Sequence, residues 1–246
     1  MSEVPMKIII YEVDRKDSPE ILKQNSLIHC SFEELNGWSE LEHDLFNEIL
    51  AYAQDSEQMS SLFGRKLYIR RKNLEKNTSI KRKSNDEIYQ ILKKMKDTSI
   101  TIENIYQKNG YKTKAAIPFF DRVYLHEKAG YPSYFEIECS EIFASLCSKN
   151  YSLKYGNYTK LHLLKITKLK SKYAKALYEL LESNRYKKQF TLKENELKNY
   201  LKYKVKDYRF SGMLREIRKV ENSVKAYIDF TFTEHKSDKS VTFNIL

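Results

Sequence analysis

Apolar residues return every third or fourth position along Lys206 to Val224. Phe210, Met213, Leu214, Ile217, Val220 and Val224 form one continuous stripe of a helix, the face that packs on a core. The opposite face carries Ser211, Arg215, Arg218 and Asn222 at the same spacing, with Arg209 and Lys219 beside them. Arginine forks and short polar tips on one face suit a helix lying in a DNA groove, where they reach base edges and phosphates. The same row also suits a solvated surface helix, so the rest of the chain has to decide.

Upstream, Ser26 to Phe32 reads as a short extended piece. Ser39 with Glu42 then makes a capping box and opens a helix to about Gln54. Leu41, Leu45, Ile49, Leu50 and Ala53 face inward, Phe46 lies beside them, and the exposed face is acidic. Residues 65–83, interrupted by Asn77, Thr78 and Ser79, predict a short helix and a loop. Ser84 with Glu87 caps the next helix, where Ile88, Ile91, Leu92 and Met95 pack and Lys93, Lys94 and Lys96 ride along. After Asp97, four β-rich pieces with a turn signal at Asn109 and Gly110 predict hairpin strands as far as Ser140, and a short helix follows over Glu141 to Ser148.

Lys149 to Tyr158, with Gly156, reads as a joint. Beyond it, Ile166, Leu169, Tyr173, Leu177, Leu180 and Leu181 predict one amphipathic helix with Lys165, Lys168, Lys172 and Lys175 on its polar face. Thr191 with Glu194 opens another helix, whose apolar set is Leu192, Leu197, Tyr200 and Leu201. The helix described first comes next, and Ala226–Glu234 and Ser240–Leu246 alternate as strands. One plan thus occurs twice: helices, a basic helix, a β hairpin. That is the order of a winged helix. The predicted fold is α+β, two tandem winged-helix domains over residues 25–150 and 151–246. Residues 1–24 form an extension in which Ile8 to Tyr11 fits a strand or a flexible segment equally.

Charge changes the picture once it is located. The net charge of +11 falls entirely after residue 156, where 21 Lys and Arg face 10 Asp and Glu; residues 1–156 balance at 23 each. Within the first part, residues 1–64 hold 4 basic and 13 acidic side chains, whereas Arg65 to Lys83 holds 9 basic residues and Glu75 as its one acid. Clustering on two segments fits two contacts with a polyanion, with the acidic segment kept apart for protein contact. The candidate contacts in the second domain are Arg209, Ser211, Arg215, Arg218, Lys219 and Asn222, with Lys236 and Lys239 on the closing hairpin beside His235, where a solvated charged tip is the competing account. In the first domain Arg70, Arg71, Lys72, Lys81, Arg82 and Lys83, with Lys93 and Lys94 on the next helix, suit phosphate contacts; a solvated loop is the competing account.

The remaining chemistry is excluded more than supplied. The 5 histidines are isolated from one another and from the cysteines at any metal-ligand spacing, and no glycine loop cradles phosphates. No catalytic residue, metal or cofactor is expected. Most of the 19 tyrosines fall on apolar stripes or alternate in strands, which assigns them to cores. Cys30, Cys139 and Cys147 are odd in number and far apart, predicting free buried thiols. With no apolar run of membrane-span length and no signal-peptide pattern at the start, the protein is expected to be cytoplasmic.

Leu169 to Ser183, LKSKYAKALYELLES, resembles the signature helix of the iteron-binding plasmid replication initiator proteins, L-x-S-x-Y-A-x-x-L-Y-E-L-L, at Leu169, Ser171, Tyr173, Ala174, Leu177, Tyr178, Glu179, Leu180 and Leu181. FTLKENELKNYL, DYRFSGMLREIRKV and the FTF to FNIL hairpin are similar to the family's next helix, recognition helix and closing wing. NSLIHCSFEELNGWSELEHDLFNEILAYA is similar to its opening segment and first helix. The resemblance implies two winged-helix domains that grip direct repeats of double-stranded DNA at a plasmid origin. In it, the second domain supplies the recognition helix and the first supplies backbone contacts and, in dimers, the subunit interface. It further implies that monomers bind and bend the origin and help the host initiator and helicase to open it, while dimers repress the initiator's own gene. This chain departs from the pattern at the last hairpin turn, where Ser237 and Asp238 replace the usual glycine, and at Gly212 early in the recognition helix. A winged-helix transcription repressor without a replication role is the alternative reading. A nicking rolling-circle initiator is disfavoured, since LHL and IHC each offer a single histidine.

Overall fold

The computed structural model describes residues 20–29, 39–55, 65–75, 78–103, 114–148, 153–154, 158–201 and 209–246. The Ile8–Tyr11 run, Cys30, the Asn109–Gly110 turn and most of the joint after Lys149 lie outside them.

Strand β1 (Glu20–Gln24) pairs antiparallel with a strand far along the chain at Tyr158–His162, with Glu20 opposite His162 and Gln24 opposite Tyr158. The end of the expected extension is therefore a structural strand. Asn25–His29, expected to be extended, forms the short helix α1, and Asn25 Oδ1 accepts a 2.6 Å hydrogen bond from the Thr159 hydroxyl.

The first half then follows: α2 (Glu40–Asp55), β2 (Lys66–Arg70), α3 (Arg71–Glu75), α4 (Asn85–Lys96), β3 (Ser99–Glu103), β4 (Lys114–Pro118), β5 (Phe120–His126), β6 (Tyr134–Cys139) and α5 (Glu141–Cys147). Both capping boxes form. Ser39 N–H donates to Glu42 Oε2 at 2.6 Å and Glu42 N–H to Ser39 Oγ at 3.3 Å; Ser84 and Glu87 do the same at 2.7 and 3.1 Å. The helix-and-loop expectation for residues 65–83 is corrected at its start. Leu67 and Ile69 alternate inward between exposed or half-buried Lys66, Tyr68 and Arg70, and this period of two makes β2 a strand against β6. The resulting sheet has the order β2-β6-β5, and β3 and β4 form a separate hairpin.

The strand that partners β1, β7 (Tyr158–His162), opens the second half. It is followed by α6 (Leu163–Lys168), α7 (Lys172–Ser183), β8 (Gln189–Lys193), α8 (Glu194–Tyr200), α9 (Phe210–Lys225), β9 (Phe230–His235) and β10 (Ser240–Ile245). The single helix expected from Ile166 to Leu181 is two. The backbone is extended at Leu169, and the Ser171 hydroxyl accepts from Tyr173 N–H at 3.2 Å to start α7 afresh. Thr191 does not cap a helix; it lies in β8, its hydroxyl 2.8 Å from that of Thr242 across the sheet, and α8 starts after Lys193. Helix α9 runs on to Lys225, so the strand expected from Ala226 begins at Phe230. The second sheet has the order β8-β10-β9. Both halves thus share one plan, helix, strand, two helices and a hairpin whose last strand is central. This is the winged-helix arrangement, used twice, and the buried apolar side chains of both halves form one cluster.

Helix α2 departs furthest from expectation. Its acidic face is not exposed: Glu42, Asp44 and Glu48 are buried, as are His43 and Asn47. Lys175, expected on a polar surface of α7, is fully buried and bonds Asp44. Glu179, one turn further along α7, accepts from Lys23 Nζ with both oxygens at 2.8 Å and from Asn47 Nδ2 at 3.2 Å, with His43 Nε2 at 3.4 Å. A charge inside a protein persists only where an opposite charge and hydrogen bonds replace water. Here β1, α2 and α7 supply them to one another, tying the two halves through a polar seam in an apolar surround.

Candidate nucleic-acid interface

Helix α9 buries the full stripe of Phe210, Met213, Leu214, Ile217, Val220 and Val224. The 3.6-residue period therefore forces Ser211, Arg215, Arg218, Lys219 and Asn222 outward, and all five are exposed, as is Arg209 just before the helix. Arg215 has 70% of its side chain exposed, and its Nε lies 4.0 Å from Glu216 Oε1. Lys219 Nζ sits 2.8 Å from the same Glu216 carboxylate. Arg218 is engaged differently, in an ion pair with Glu234 on β9 that fastens the helix face to the hairpin. Glu234 carries no sequence signal for this role, because the partners belong to different elements.

The hairpin β9–β10 closes through residues 236–239, all exposed. Lys239 adopts the left-handed region at φ 50, the conformation a glycine would take without cost. Asp238 Oδ2 accepts from Ser240 Oγ at 3.0 Å and steadies the turn, and Lys239 Nζ lies 3.5 Å from Glu194 Oε2. Lys236 and Lys239 are thus exposed on a turn whose geometry does not depend on the missing glycine, with Lys239 next to the start of α8. His235 donates or accepts at 2.9 Å with the Thr242 hydroxyl.

The basic residues of the first half divide. Lys81 and Arg82, on a short 3-10 turn at Ser79–Arg82, are exposed, as are Lys72 and Lys93. Lys94 reaches Glu42 Oε1 at 2.6 Å and Lys83 reaches Glu87 Oε1 at 3.3 Å, while Arg70 is half-buried. Arg71 is a strut. Its guanidinium donates to Glu75 Oε1 at 2.5 Å, Asn85 Oδ1 at 3.0 Å and the Lys83 carbonyl at 2.7 Å, holding α3, the turn and the start of α4 together. Among the described residues no group of His, Cys, Asp and Glu is arranged to hold a metal ion, and no helix is long and apolar enough to cross a membrane. Cys139 and Cys147 are buried free thiols, and burial pushes both pKa values well up.

Two helix-and-hairpin units, each with a basic exposed edge, define a tandem winged-helix protein. The family of initiator replication proteins, described by its first winged-helix domain, matches residues 20–182, and the chain belongs to that family. Among solved structures it is similar to the Pi initiator protein in complex with iteron DNA, with a TM-score of 0.50 and 18% identity over 94% of this chain and 98% of that one. It is also similar to domains 2 and 3 of RctB, with a TM-score of 0.50 and 12% identity over 83% and 82%. At these identities the likeness is one of fold. No curated protein matches the chain.

Proposed function

We propose that this protein initiates plasmid replication by binding direct repeats at an origin, with α9 in a major groove and the β9–β10 turn on the adjacent phosphates. The observation that carries the reading is α9 itself: an apolar stripe locked into the core and an opposite face presenting Arg215, Arg218, Lys219, Ser211 and Asn222 together. Residues 151–246 act as the main reader. Residues 25–150 add backbone contacts through Lys81, Arg82, Lys72 and Lys93, and carry the dimer surface. A monomer occupies each repeat, bends the DNA and works with the host initiator and helicase to open it; a dimer represses the initiator's own gene. The protein itself performs no covalent chemistry. Family membership supports the initiator reading, and the DNA-bound state of the structurally similar Pi protein supports the duplex as ligand.

The test is binding of the purified chain to labelled duplexes tiled across the DNA flanking its gene, against scrambled competitors and at several salt concentrations. Evenly spaced direct repeats, each protected by one protein, are the expected result. A single protected inverted repeat at the promoter would identify a dedicated repressor instead. Strand cleavage on adding a divalent metal would overturn the non-enzymatic reading.

A further inference from the structure

The outer face of the first sheet is unlike a solvated wing. Arg70 on β2, Tyr134 on β6 and His126 on β5 lie in one cross-strand row, and the His126 and Tyr134 rings stack at 4.5 Å and 13°. The β5–β6 connection folds back over this row. Gly130 turns it at φ 79, Tyr131 N–H closes the turn on the Lys128 carbonyl at 3.0 Å, and Lys128 Nζ sits 4.4 Å above the Tyr131 ring. Tyr131 is 64% exposed, an unusual position for a large ring. Between row and loop lies a concavity of about 530 Å³, lined by Arg70, His126, Lys128, Tyr131, Pro132 and Tyr134.

The loop is held in place from the helix side. Asn85, at the start of α4, donates to Glu127 Oε1 at 2.5 Å and Ser133 Oγ at 3.0 Å, while its own Oδ1 accepts from Arg71. Glu127, the one acid on the lining, thus has one carboxylate oxygen tied to α4. The rest of the lining is aromatic rings, Leu125, Pro132 and the cations of Arg70 and Lys128.

We propose that this concavity binds a nucleotide, its base laid against Tyr131 and the Tyr134–His126 stack and its phosphate held by Arg70 and Lys128. Aromatic faces attract the faces of bases, and those are covered inside a duplex, so the ligand is an unstacked nucleotide. It comes either free in solution or as an unpaired residue of a DNA strand. Tyr124, 41% exposed further along β5, extends the aromatic surface beyond the concavity and would suit a continuing strand. The site is separate from α9, so it stands or falls independently of the duplex contact.

The experiment uses the full chain with three probes: deoxyadenosine monophosphate by calorimetry, a labelled single-stranded oligo(dA) by anisotropy, and a labelled cognate duplex. The variants are Tyr131→Ala, Tyr131→Phe and Lys128→Ala, each checked by thermal unfolding; both side chains are at the surface. Tyr131→Ala is expected to weaken single-strand binding by roughly 5- to 150-fold, the loss of one base stack. Tyr131→Phe should retain binding, Lys128→Ala should weaken it, and duplex affinity should stay unchanged. Binding of the free mononucleotide, with displacement of the oligonucleotide, would assign the site to soluble nucleotide; oligonucleotide binding alone would assign it to unpaired DNA. No binding of either probe, or equal losses on single strand and duplex for Tyr131→Ala, would overturn the proposal.

Discussion

Glu179 sits where Lys23, Asn47 and His43 converge, and the neighbours determine its charge state. It is fully buried, which alone would raise its pKa, but Lys23 and His43 more than compensate and hold the carboxyl well below the usual range. His43 moves the other way: burial depresses its pKa below the ordinary 6.5, with Glu179 opposing and Lys23 and Lys175 reinforcing. Asn47 Nδ2 donates to His43 Nδ1 at 3.2 Å, so the neutral ring carries its proton on Nε2, towards Glu179. Because the unfolded chain takes up a proton near pH 6.5 and the folded chain resists it, stability falls as pH drops through that range. Between pH 7.5 and 6 this costs at most about 0.8 kcal/mol. Asp44, raised to about 6 by burial although Lys175 pulls it down, has the opposite sign, because the folded state binds the proton first. Chemical denaturation at the two pH values should therefore show His43→Gln losing less stability than the wild type on acidification. Equal slopes would mean that the buried ring titrates as freely as an exposed one. At the DNA face, Arg215→Ala should cost roughly 1 to 3 kcal/mol on the cognate repeat if the side chain reads a base. An equal loss on scrambled duplex would reassign Arg215 to a phosphate.

At the scale of elements, α9 and its hairpin behave as one unit because Arg218 and Glu234 join them. Without DNA, that pair holds the guanidinium partly neutralised. Glu234→Ala is expected to release it and to strengthen binding to cognate and scrambled duplexes alike, steepening the salt dependence by about one phosphate contact. Weaker binding by this variant would show instead that Glu234 aims Arg218 at its target. Measurement of affinity against salt for both duplexes separates these outcomes. The hairpin turn needs no such rescue, since Lys239 accepts the left-handed conformation directly. In the first half, the comparable basic stretch is divided by its own packing: Arg71 fastens α3 to α4, and Lys81 and Arg82 are left on the surface.

Across the molecule, β1 and the Lys23–Glu179 pair make the first residues of the described chain part of the second half's foundation. Glu179→Leu should destabilise the protein by about 3 to 5 kcal/mol, because Lys23 would be left buried without its partner. Lys23→Met combined with Glu179→Leu should recover much of that loss, as apolar side chains of similar volume refill the seam. Urea unfolding of the single and double variants checks this; additive losses would show that the two residues do not act as a pair. The acidic stretch before residue 64 also changes meaning at this scale. Glu42 and Asp44 of α2 are buried and pair with the exposed Lys94 and the buried Lys175, so deleting the segment would open the core as well as remove any contact surface.

Periodicity and capping residues were enough to locate α2, α4, α9 and the closing hairpin, because each depends on neighbours within a few positions along the chain. The exposed face of α9 followed for the same reason: once its stripe is buried, helix geometry decides what points outward. The signature helix was legible as a pattern, although the reason for its Glu179 was not. Strands β2, β7 and β8 are not legible in the sequence because five residues give too short a period to distinguish from a loop or a helix start, and only their partners β6, β1 and β10 make them strands. The inward turn of the acids on α2 and of Lys175 was likewise invisible. Lys23 meets Glu179 across 156 positions and Lys175 meets Asp44 across 131, and whether a charge lies in water or in a seam depends on which distant segment packs against it.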